Sequence, residues 1–149
     1  MLFNVALRIL GDYDEASDAT QDAFVKTYQA LPRFDQSRRF FSWIYRILVN
    51  ECLNAKRARR PHEPLGEDLV APASPGADLE STERRQRVRA AILALSPEYR
   101  AVIALRHFAA MSYADMAVAL DLPVKTVRSR LYTARQRLAE RLLDERVGV

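Results

Sequence analysis

Residues 111–138 read MSYADMAVALDLPVKTVRSRLYTARQRL, and this stretch predicts two helices joined by a tight turn. Ser112 can cap the first helix, because Asp115 stands three residues later in the spacing of a capping box. The residues Asp121-Leu122-Pro123 predict the turn, and a longer helix from about Val124 to Leu143 follows it. A short helix, a three-residue turn and a longer basic helix together are typical of a helix-turn-helix.

The longer helix has an apolar face and a polar face. At about 100° per residue, Val127, Leu131 and Ala134 fall on one side, where they can pack on the preceding helices. Arginine can donate two hydrogen bonds to guanine, and glutamine can pair in the same way with adenine, so the polar face suits the major groove of DNA. The candidate DNA contacts on this helix are Lys125, Thr126, Arg128, Ser129, Arg130, Tyr132, Arg135 and Gln136.

The basic face also has a plainer interpretation, as a solvated helix surface, and the charge distribution favours DNA contact over it. Residues 84–149 carry 13 Lys/Arg against 6 Asp/Glu, a net charge of +7. Residues 1–60 carry 10 against 7, a net of +3, whereas residues 61–83 carry six acids and no Lys or Arg. Two basic segments predict a polyanionic partner, and the acidic segment between them is not expected to touch it.

The acidic segment also marks a domain boundary. Residues 61–78 hold four prolines and two glycines without a sustained apolar period, which is typical of a flexible linker. We therefore expect an all-α fold of two small helical domains, residues 1–60 and 79–149, joined by the linker 61–78. Bodies of that size bury only about 60% of their chain surface, so docking on a larger partner would stabilise both.

Residues 1–60 predict three helices. Leu2 to Leu10 follow a helical apolar spacing, and Gly11 is expected to end that helix. Asp12 and Glu15 have capping-box spacing at the start of the second helix, which should end before Pro32, and the third should run from about residue 38 to residue 60. The positions expected to be buried in the last two helices are Ala16, Ala19, Ala23, Phe24, Leu31, Phe40, Trp43, Ile44, Ile47 and Leu48.

Residues 79–149 predict four helices, of which the last two form the helix-turn-helix. The first is expected over Leu79 to Leu95, and Ser96-Pro97 supplies a cap and a first-turn proline for the second, which should end near Met111. The inward positions expected in the first three helices are Val88, Ala91, Ile92, Leu95, Val102, Ile103, Phe108, Met116, Ala117 and Leu120.

Composition restricts the classes of function. A single cysteine, Cys52, allows no internal disulfide and suits a reducing cytoplasm, and the two histidines give no metal-ligand spacing. No apolar stretch approaches the roughly 18 to 20 residues of a membrane span, and no secretory signal opens the chain. Because paired carboxylates, a nucleophile with its base and a phosphate loop are all missing, we expect no enzyme activity, metal or cofactor.

Two parts of the chain resemble conserved regions of bacterial RNA polymerase sigma factors of the sigma-70 family. The stretches similar to region 4 are Leu95–Arg100, Leu105-Arg106, Met111–Ala117 and Thr126–Leu131. The stretches similar to region 2 are Gln21–Tyr28 and Phe41–Ile47, with Asn50 beyond them. Because only these two regions occur, in this order and joined by a proline-rich linker, the chain resembles the compact extracytoplasmic-function (ECF) group.

This resemblance implies a subunit that binds core RNA polymerase and then recognises promoters, reading the minus-ten element with region 2 and the minus-thirty-five element with region 4. The second helix would dock on the clamp helices of the β′ subunit, region 4 would meet the β flap, and an anti-sigma factor is implied as a further partner. The polymerase-binding residues implied are Asp18, Gln21, Asp22, Val25 and Gln29.

The third helix carries the residues that the resemblance assigns to the minus-ten element. Asn50, Asn54 and Arg57 share one face, since they lie at i, i+4 and i+7, and an asparagine can both donate to and accept from an extruded base. Lys56 and Arg60 would hold phosphates nearby. Phe40, Phe41 and Tyr45 are the candidates for an aromatic residue that supports strand opening, with no choice among them from the sequence, while Trp43 is expected in the core.

The chain departs from the family pattern at several positions. Lys125 stands where the family often has glycine, and Thr133 where a basic residue is common, which bears on the minus-thirty-five sequence that is read. The first helix begins inside its apolar pattern without a cap residue, so we expect an N-terminal piece of region 2 to be missing; a short first helix is the alternative.

Two other functions compete with the sigma-factor hypothesis. An autonomous helix-turn-helix regulator would bind promoters tightly without polymerase, but it leaves the region 2 resemblance unexplained. A nucleic-acid enzyme would need catalytic groups that the sequence does not offer.

Overall fold

The structure of the protein, a computed structural model, describes residues 1–58 and 78–147. The regular elements in these ranges are all helical, which confirms the all-α class. They are α1 (Leu2–Leu10), α2 (Tyr13–Ala30), a 3-10 turn (Leu31–Arg33), α3 (Phe40–Ala58), α4 (Leu79–Leu93), α5 (Pro97–Ile103) continued by a π-helical segment (Ala104–Phe108), α6 (Tyr113–Leu120) and α7 (Val124–Val147). Arg60 and the predicted linker up to residue 77 lie outside the described residues.

The N-terminal body, α1 to α3, is ordered by local capping chemistry that the sequence predicts. Gly11 ends α1 in the left-handed conformation, with φ 77°, and its N–H donates to Leu7 O. Asp12 caps α2, because its carboxylate accepts from the backbone N–H of Glu15 at 2.9 Å. Both α1 and α3 then pack against α2, and α3 also packs on α1.

The buried row of α2 differs from the expected one. Ala16, Ala19 and Ala23 are buried as predicted, but Phe24 and Leu31 are 53% and 47% exposed, so their predicted burial is wrong. Thr20 and Thr27 complete the buried row instead. Their hydroxyls donate to the carbonyls of the residues four positions earlier, at 2.6 and 2.7 Å, which removes the cost of burying them.

In α3 the expected apolar row is only partly enclosed. Ile44 and Leu48 are buried, whereas Trp43 and Ile47 are half-buried. Phe40 is exposed, because the chain before it runs along the surface, and its ring contacts Phe34 and Trp43 there. The prediction of a buried Phe40 is therefore wrong.

The C-terminal body, α4 to α7, contains the predicted helix-turn-helix. Ser112 caps α6 by accepting from the backbone N–H of Asp115 at 3.1 Å, and Asp121 ends α6 in the left-handed conformation, with φ 54°. After Pro123, α7 begins at Val124 as expected and extends to Val147, beyond the expected end at about Leu143. Val127, Leu131 and Ala134 are buried against the rest of the body, as the angular spacing predicts.

The helix before α6 departs from its predicted course. Ser96 occupies the capping position of α5, but its side chain makes no capping hydrogen bond. The helix widens into the π-helical segment and ends at Phe108, whose ring is exposed rather than inward and lies under the guanidinium of Arg8 at 4.4 Å. The loop then places Ala110 at φ 52°, a conformation that costs alanine about 1–2 kcal/mol.

The two bodies are packed on each other along a contact that we call the seam. α1 packs on α5 and the π-helical segment, while α3 packs on α6. Buried side chains from both bodies form one continuous cluster, including Ile9, Leu48, Val102 and Leu105. The two bodies therefore share a single core in this arrangement.

One end of the seam is apolar and close-packed. The Gly11 backbone lies so near Leu93 that a Cβ at this position would be 2.7 Å from Leu93 Cδ2. Arg100 spans the same end: its guanidinium donates to Ile9 O at 2.7 Å, to Leu95 O at 2.8 Å and to Leu93 O. One cation thus satisfies carbonyls at the C-termini of α1 and α4, where the helix dipoles favour positive charge.

The other end of the seam is open and ionic. A cavity of about 730 Å³ lies between the start of α3 and α6. Two ion pairs cross it, Arg39 to Asp115 at 2.9 Å and Arg46 to Asp121 at 3.2 Å. The arginines belong to the N-terminal body and the aspartates to the helix-turn-helix.

Candidate nucleic-acid interface

The polar face of α7 is exposed in the structure. Lys125, Arg128, Ser129, Tyr132, Arg135 and Gln136 are exposed, whereas Thr126 and Arg130 are half-buried. Gln136 donates to the Tyr132 hydroxyl at 3.0 Å, and the Ser129 hydroxyl donates to Thr126 O at 3.1 Å. The structure therefore brings six of the eight predicted DNA contacts together on the exposed side of one helix, and it places Thr126 and Arg130 at the edge of that side, facing α5.

Two arginines of this face are held by residues that the sequence did not single out. Arg128 stacks over the ring of Tyr113 in α6, with its Cζ 5.5 Å from the centroid. The Arg135 guanidinium faces His107 Nε2 at 3.3 to 3.4 Å. Partial burial, and then the charges of Arg135 and Arg106, lower the pKa of His107, so its ring is neutral near pH 7.

The second predicted face lies on the C-terminal half of α3. Asn50, Asn54 and Arg57 are exposed there on consecutive turns of the helix. Lys56 is different: its side chain is only 15% exposed, and its ammonium lies 4.0 Å from the Glu15 carboxylate. The structure therefore groups the two asparagines with Arg57 and turns Lys56 toward α2.

The third predicted face lies on α2. Asp18, Gln21, Asp22, Val25 and Gln29 are all exposed, and Lys26 beside them forms an ion pair with Glu51 of α3. Phe24, Tyr28 and Leu31 add apolar surface to the same helix and turn, and Tyr28 is 79% exposed. Sequence reasoning missed these three apolar residues, although the Ala and Thr spacing from Ala16 to Thr27 already defines a buried row without them.

An aromatic cluster stands at the beginning of α3. Phe34 lies against Trp43, with ring centroids 4.5 Å apart, and Phe40 joins the cluster between Trp43 and Phe41. Of the three rings considered for strand opening, Tyr45 is only 3% exposed, whereas Phe41 is 74% exposed. Phe41 is therefore the ring most open to an unstacked base.

The described residues contain no group of three or more His, Cys, Asp or Glu side chains that could hold a metal ion. None of the helices in the described ranges is long and apolar enough to cross a membrane. Burial, with the charge of Glu51, raises the pKa of the Cys52 thiol to about 12, so the thiol stays protonated and unreactive.

Comparison with known proteins decides the family. Residues 1–62 match Sigma-70 region 2, and residues 85–138 match Sigma-70, region 4. The RNA polymerase sigma-H factor of Pseudomonas aeruginosa is 35% identical over 154 residues, which cover 95% of this chain and 80% of that protein. The ECF RNA polymerase sigma-E factor of Escherichia coli strain K12 is 35% identical over 135 residues, which cover 82% and 71%.

The chain belongs to the ECF group of sigma-70 RNA polymerase sigma factors. Region 2 of this sigma factor comprises α1 to α3, and region 4 extends from within α4 into α7. Its fold resembles that of the sigma factor RpoE in a co-crystal structure with the anti-sigma factor NepR from Bartonella quintana. The TM-score is 0.75 at 27% identity, with 95% of this chain and 89% of that chain covered.

Proposed function

We propose that this sigma factor binds core RNA polymerase and directs it to promoters, reading the minus-ten element with α3 and the minus-thirty-five element with α7. The observation that carries the proposal is the pair of exposed polar faces on α3 and α7, one in each conserved region of a chain of this family. An amphipathic helix with its apolar side in the core and its donors outward is what DNA reading requires.

The minus-thirty-five element, which we also call the upstream element, is assigned to the polar face of α7. Lys125, Thr126 and Arg128 lie in its first two turns, the part of a recognition helix that reaches base edges. The guanidinium of Arg128 can donate two hydrogen bonds to guanine, and the later residues of the face can bind bases or phosphates. The proposed contacts are Lys125, Thr126, Arg128, Ser129, Arg130, Tyr132, Arg135 and Gln136.

The minus-ten element, which lies downstream, is assigned to α3. The amides of Asn50 and Asn54 are exposed beside Arg57 and can bind the edge of an extruded base. Lys56 and Arg60 are proposed as phosphate contacts, although Lys56 would have to leave Glu15 to make one. Phe41, the exposed ring of the aromatic cluster, is proposed as the residue that supports strand opening.

The exposed face of α2 is assigned to polymerase binding. Asp18, Gln21, Asp22, Val25 and Gln29 are the proposed contacts to the β′ clamp helices, and region 4 is expected to meet the β flap. The exposed rings of Phe24 and Tyr28 enlarge this surface, because apolar groups left open on a small body are typical of a protein interface.

The proposal requires the two bodies to separate along the seam. The two promoter elements are centred about 25 base pairs apart, which is about 85 Å of B-DNA at roughly 3.4 Å per base pair. A compact chain of this length has a radius of gyration of only about 15 Å. The packed arrangement therefore cannot reach both elements at once, and polymerase would hold the bodies apart.

We further propose that the chain has no catalytic activity of its own, acts in the cytoplasm beside polymerase, and consists of two domains, residues 1–60 and 79–149, joined by the linker 61–78. The solved neighbour bound to an anti-sigma factor supports an anti-sigma partner for this chain as well. Such a partner could act by holding the seam closed.

The deciding experiment is a pull-down of core polymerase followed by transcription in vitro from a library of promoters. Initiation at particular promoters only when the chain is present supports the proposal. Failure to associate with polymerase would contradict it, and tight promoter binding without polymerase would favour an autonomous regulator instead.

Two variants test the assignment of the reading faces. Arg128→Ala is expected to relax preference within the upstream element, because one bidentate base contact is worth about 1–3 kcal/mol of discrimination. Asn50→Ala is expected to impair minus-ten recognition or opening while polymerase binding is retained. Arg84→Ala is the matched control, since Arg84 is exposed on α4 and is not among the proposed contacts.

A further inference from the structure

The arginines of α7 differ in what lies beneath them. Arg128 stacks over Tyr113 of α6, Arg137 stacks over Tyr99 of α5 at 4.8 Å, and Arg135 faces His107. Only Arg128 combines a ring contact with a place in the first two turns of α7, where base edges are reached. The ring contact of Arg128 is therefore expected to affect which DNA bases are recognised.

Tyr113 is itself fixed by two neighbouring residues. It is the first residue of α6, and the adjacent Ser112 holds that helix end by accepting from the Asp115 N–H. In addition, the Arg106 guanidinium lies 4.7 Å from the Tyr113 centroid, and Arg106 is anchored by donating to Met111 O at 2.8 Å. The ring of Tyr113 thus contacts two arginines: Arg106, which is hydrogen-bonded to the backbone, and Arg128, which is exposed.

An arginine side chain has several rotatable bonds, and it loses their freedom when its guanidinium pairs with a base. A ring that already holds the guanidinium over its face removes part of this loss before DNA arrives. The bidentate contact gains most from this, because two N–H groups of the guanidinium must be correctly oriented to meet the two acceptors of guanine.

We propose that Tyr113 is a positioning residue for specificity: it holds Arg128 in the orientation that reads the upstream element, and Arg106 braces its ring. Tyr113 acts through Arg128 and needs no base contact of its own. The inference rests on the proposed role of α7, and the variants below separate failure of one from failure of the other.

The test measures base preference of the holoenzyme on promoters randomised across the upstream element. Tyr113→Leu keeps an apolar side chain but removes the ring, and it should reduce preference at the base pair read by Arg128 by about two- to five-fold. Preference at the other base pairs should stay the same. Tyr113→Phe keeps the ring and should retain the preference of the unmodified protein; a loss in this variant would overturn the proposal.

A double variant distinguishes positioning from a merely structural role. In an Arg128→Ala background, Tyr113→Leu should change base preference no further, because the side chain through which it acts is gone. Additive losses in the double variant would overturn the proposal. If Arg128→Ala alone changes no preference, base reading by Arg128 fails and the positioning role of Tyr113 fails with it, whereas loss of all promoter preference in the unmodified holoenzyme would overturn the proposed role of α7.

Two further variants complete the test. Arg137→Ala removes the arginine that stacks over the other ring, Tyr99, and because Arg137 is not among the proposed base contacts it should leave preference at the base pair read by Arg128 unchanged. Arg106→Gln weakens the brace without altering the ring, and should lower preference at the same base pair as Tyr113→Leu by a smaller factor. It keeps the test decisive if Tyr113→Leu does not fold, since an unchanged preference in Arg106→Gln would then overturn the proposal.

Discussion

The two ends of the seam are built from different interactions. At the end where α1 meets α4 and α5, Gly11 lies against Leu93 and Arg100 donates to three backbone carbonyls. At the end where α3 meets α6, the two helices pack on each other beside an open cavity, and two partly exposed ion pairs cross the cavity. Close packing and the part-buried hydrogen bonds of Arg100 hold the first end, whereas ion pairs add to the packing of α3 on α6 at the second.

This difference indicates how the seam separates. Exposed ion pairs contribute little to stability and weaken further in salt, whereas unsatisfied buried carbonyls and lost packing cost several kcal/mol. The two ion pairs at the cavity are therefore expected to break before the Arg100 contacts do. Their breaking frees Asp115 and Asp121 of the helix-turn-helix from two arginines next to the aromatic cluster of α3.

The largest effect is expected for Arg100→Ala. The substitution leaves carbonyls of Ile9, Leu93 and Leu95 without their donor, and it should lower the free energy of unfolding by about 3 kcal/mol. Denaturant unfolding followed by circular dichroism measures the loss. Arg100→Lys is the matched control and should lose less, since it keeps the charge but cannot reach three carbonyls; equal stability of Arg100→Ala and the unmodified protein would contradict the prediction.

An intermediate effect is expected for Gly11→Ala. Alanine at φ 77° costs about 1–2 kcal/mol, and its Cβ would also displace Leu93, so the free energy of unfolding should fall by about 2 kcal/mol. The same denaturant experiment measures it.

Two controls separate the causes of the Gly11→Ala loss. Combining it with Leu93→Ala should give less than the sum of the two single losses, because the steric contact is then gone. Ala110→Gly relieves a left-handed alanine elsewhere and should be neutral to slightly stabilising. Strict additivity of the first pair would show that Leu93 does not limit position 11.

The smallest effect is expected for the double variant Arg39→Gln and Arg46→Gln. Removing both ion pairs of the cavity end should lower the free energy of unfolding by about 1 kcal/mol or less at low salt. In 1 M salt the difference should become smaller, because the screening length falls to about 3 Å, close to the separation of the paired atoms. A loss of the same size in 1 M salt would mean that the two arginines stabilise this end by packing and not by charge; Arg84→Gln, which removes an ion pair within α4, is the control.

Helix ends could be predicted from sequence because their chemistry is local. Gly11, Asp12 and Ser112 act within four residues of the ends that they cap, and the structure places all three as expected. The outward face of α7 could be predicted for the same reason, since helix geometry alone fixes which side chains lie opposite Val127 and Leu131.

What could not be predicted depends on distant or unusual partners. Arg39 and Asp115 are 76 positions apart in the chain, and nothing in the sequence pairs one charge with the other. Thr20 and Thr27 count as polar in a hydrophobic pattern, yet their hydroxyls are satisfied within α2. The supports of the recognition face, Tyr113 and His107, belong to neighbouring helices and follow only from how those helices cross α7.

The bond from Arg100 to the carbonyl of Ile9 also sets an order of events during synthesis. The two residues are 91 positions apart, so at roughly 5 to 20 residues per second about 5 to 20 s pass between their additions to the chain. During that interval α1 has no α5 to pack against, and one side of its apolar face stays uncovered. The N-terminal body can therefore complete this packing only after α5 has emerged from the ribosome.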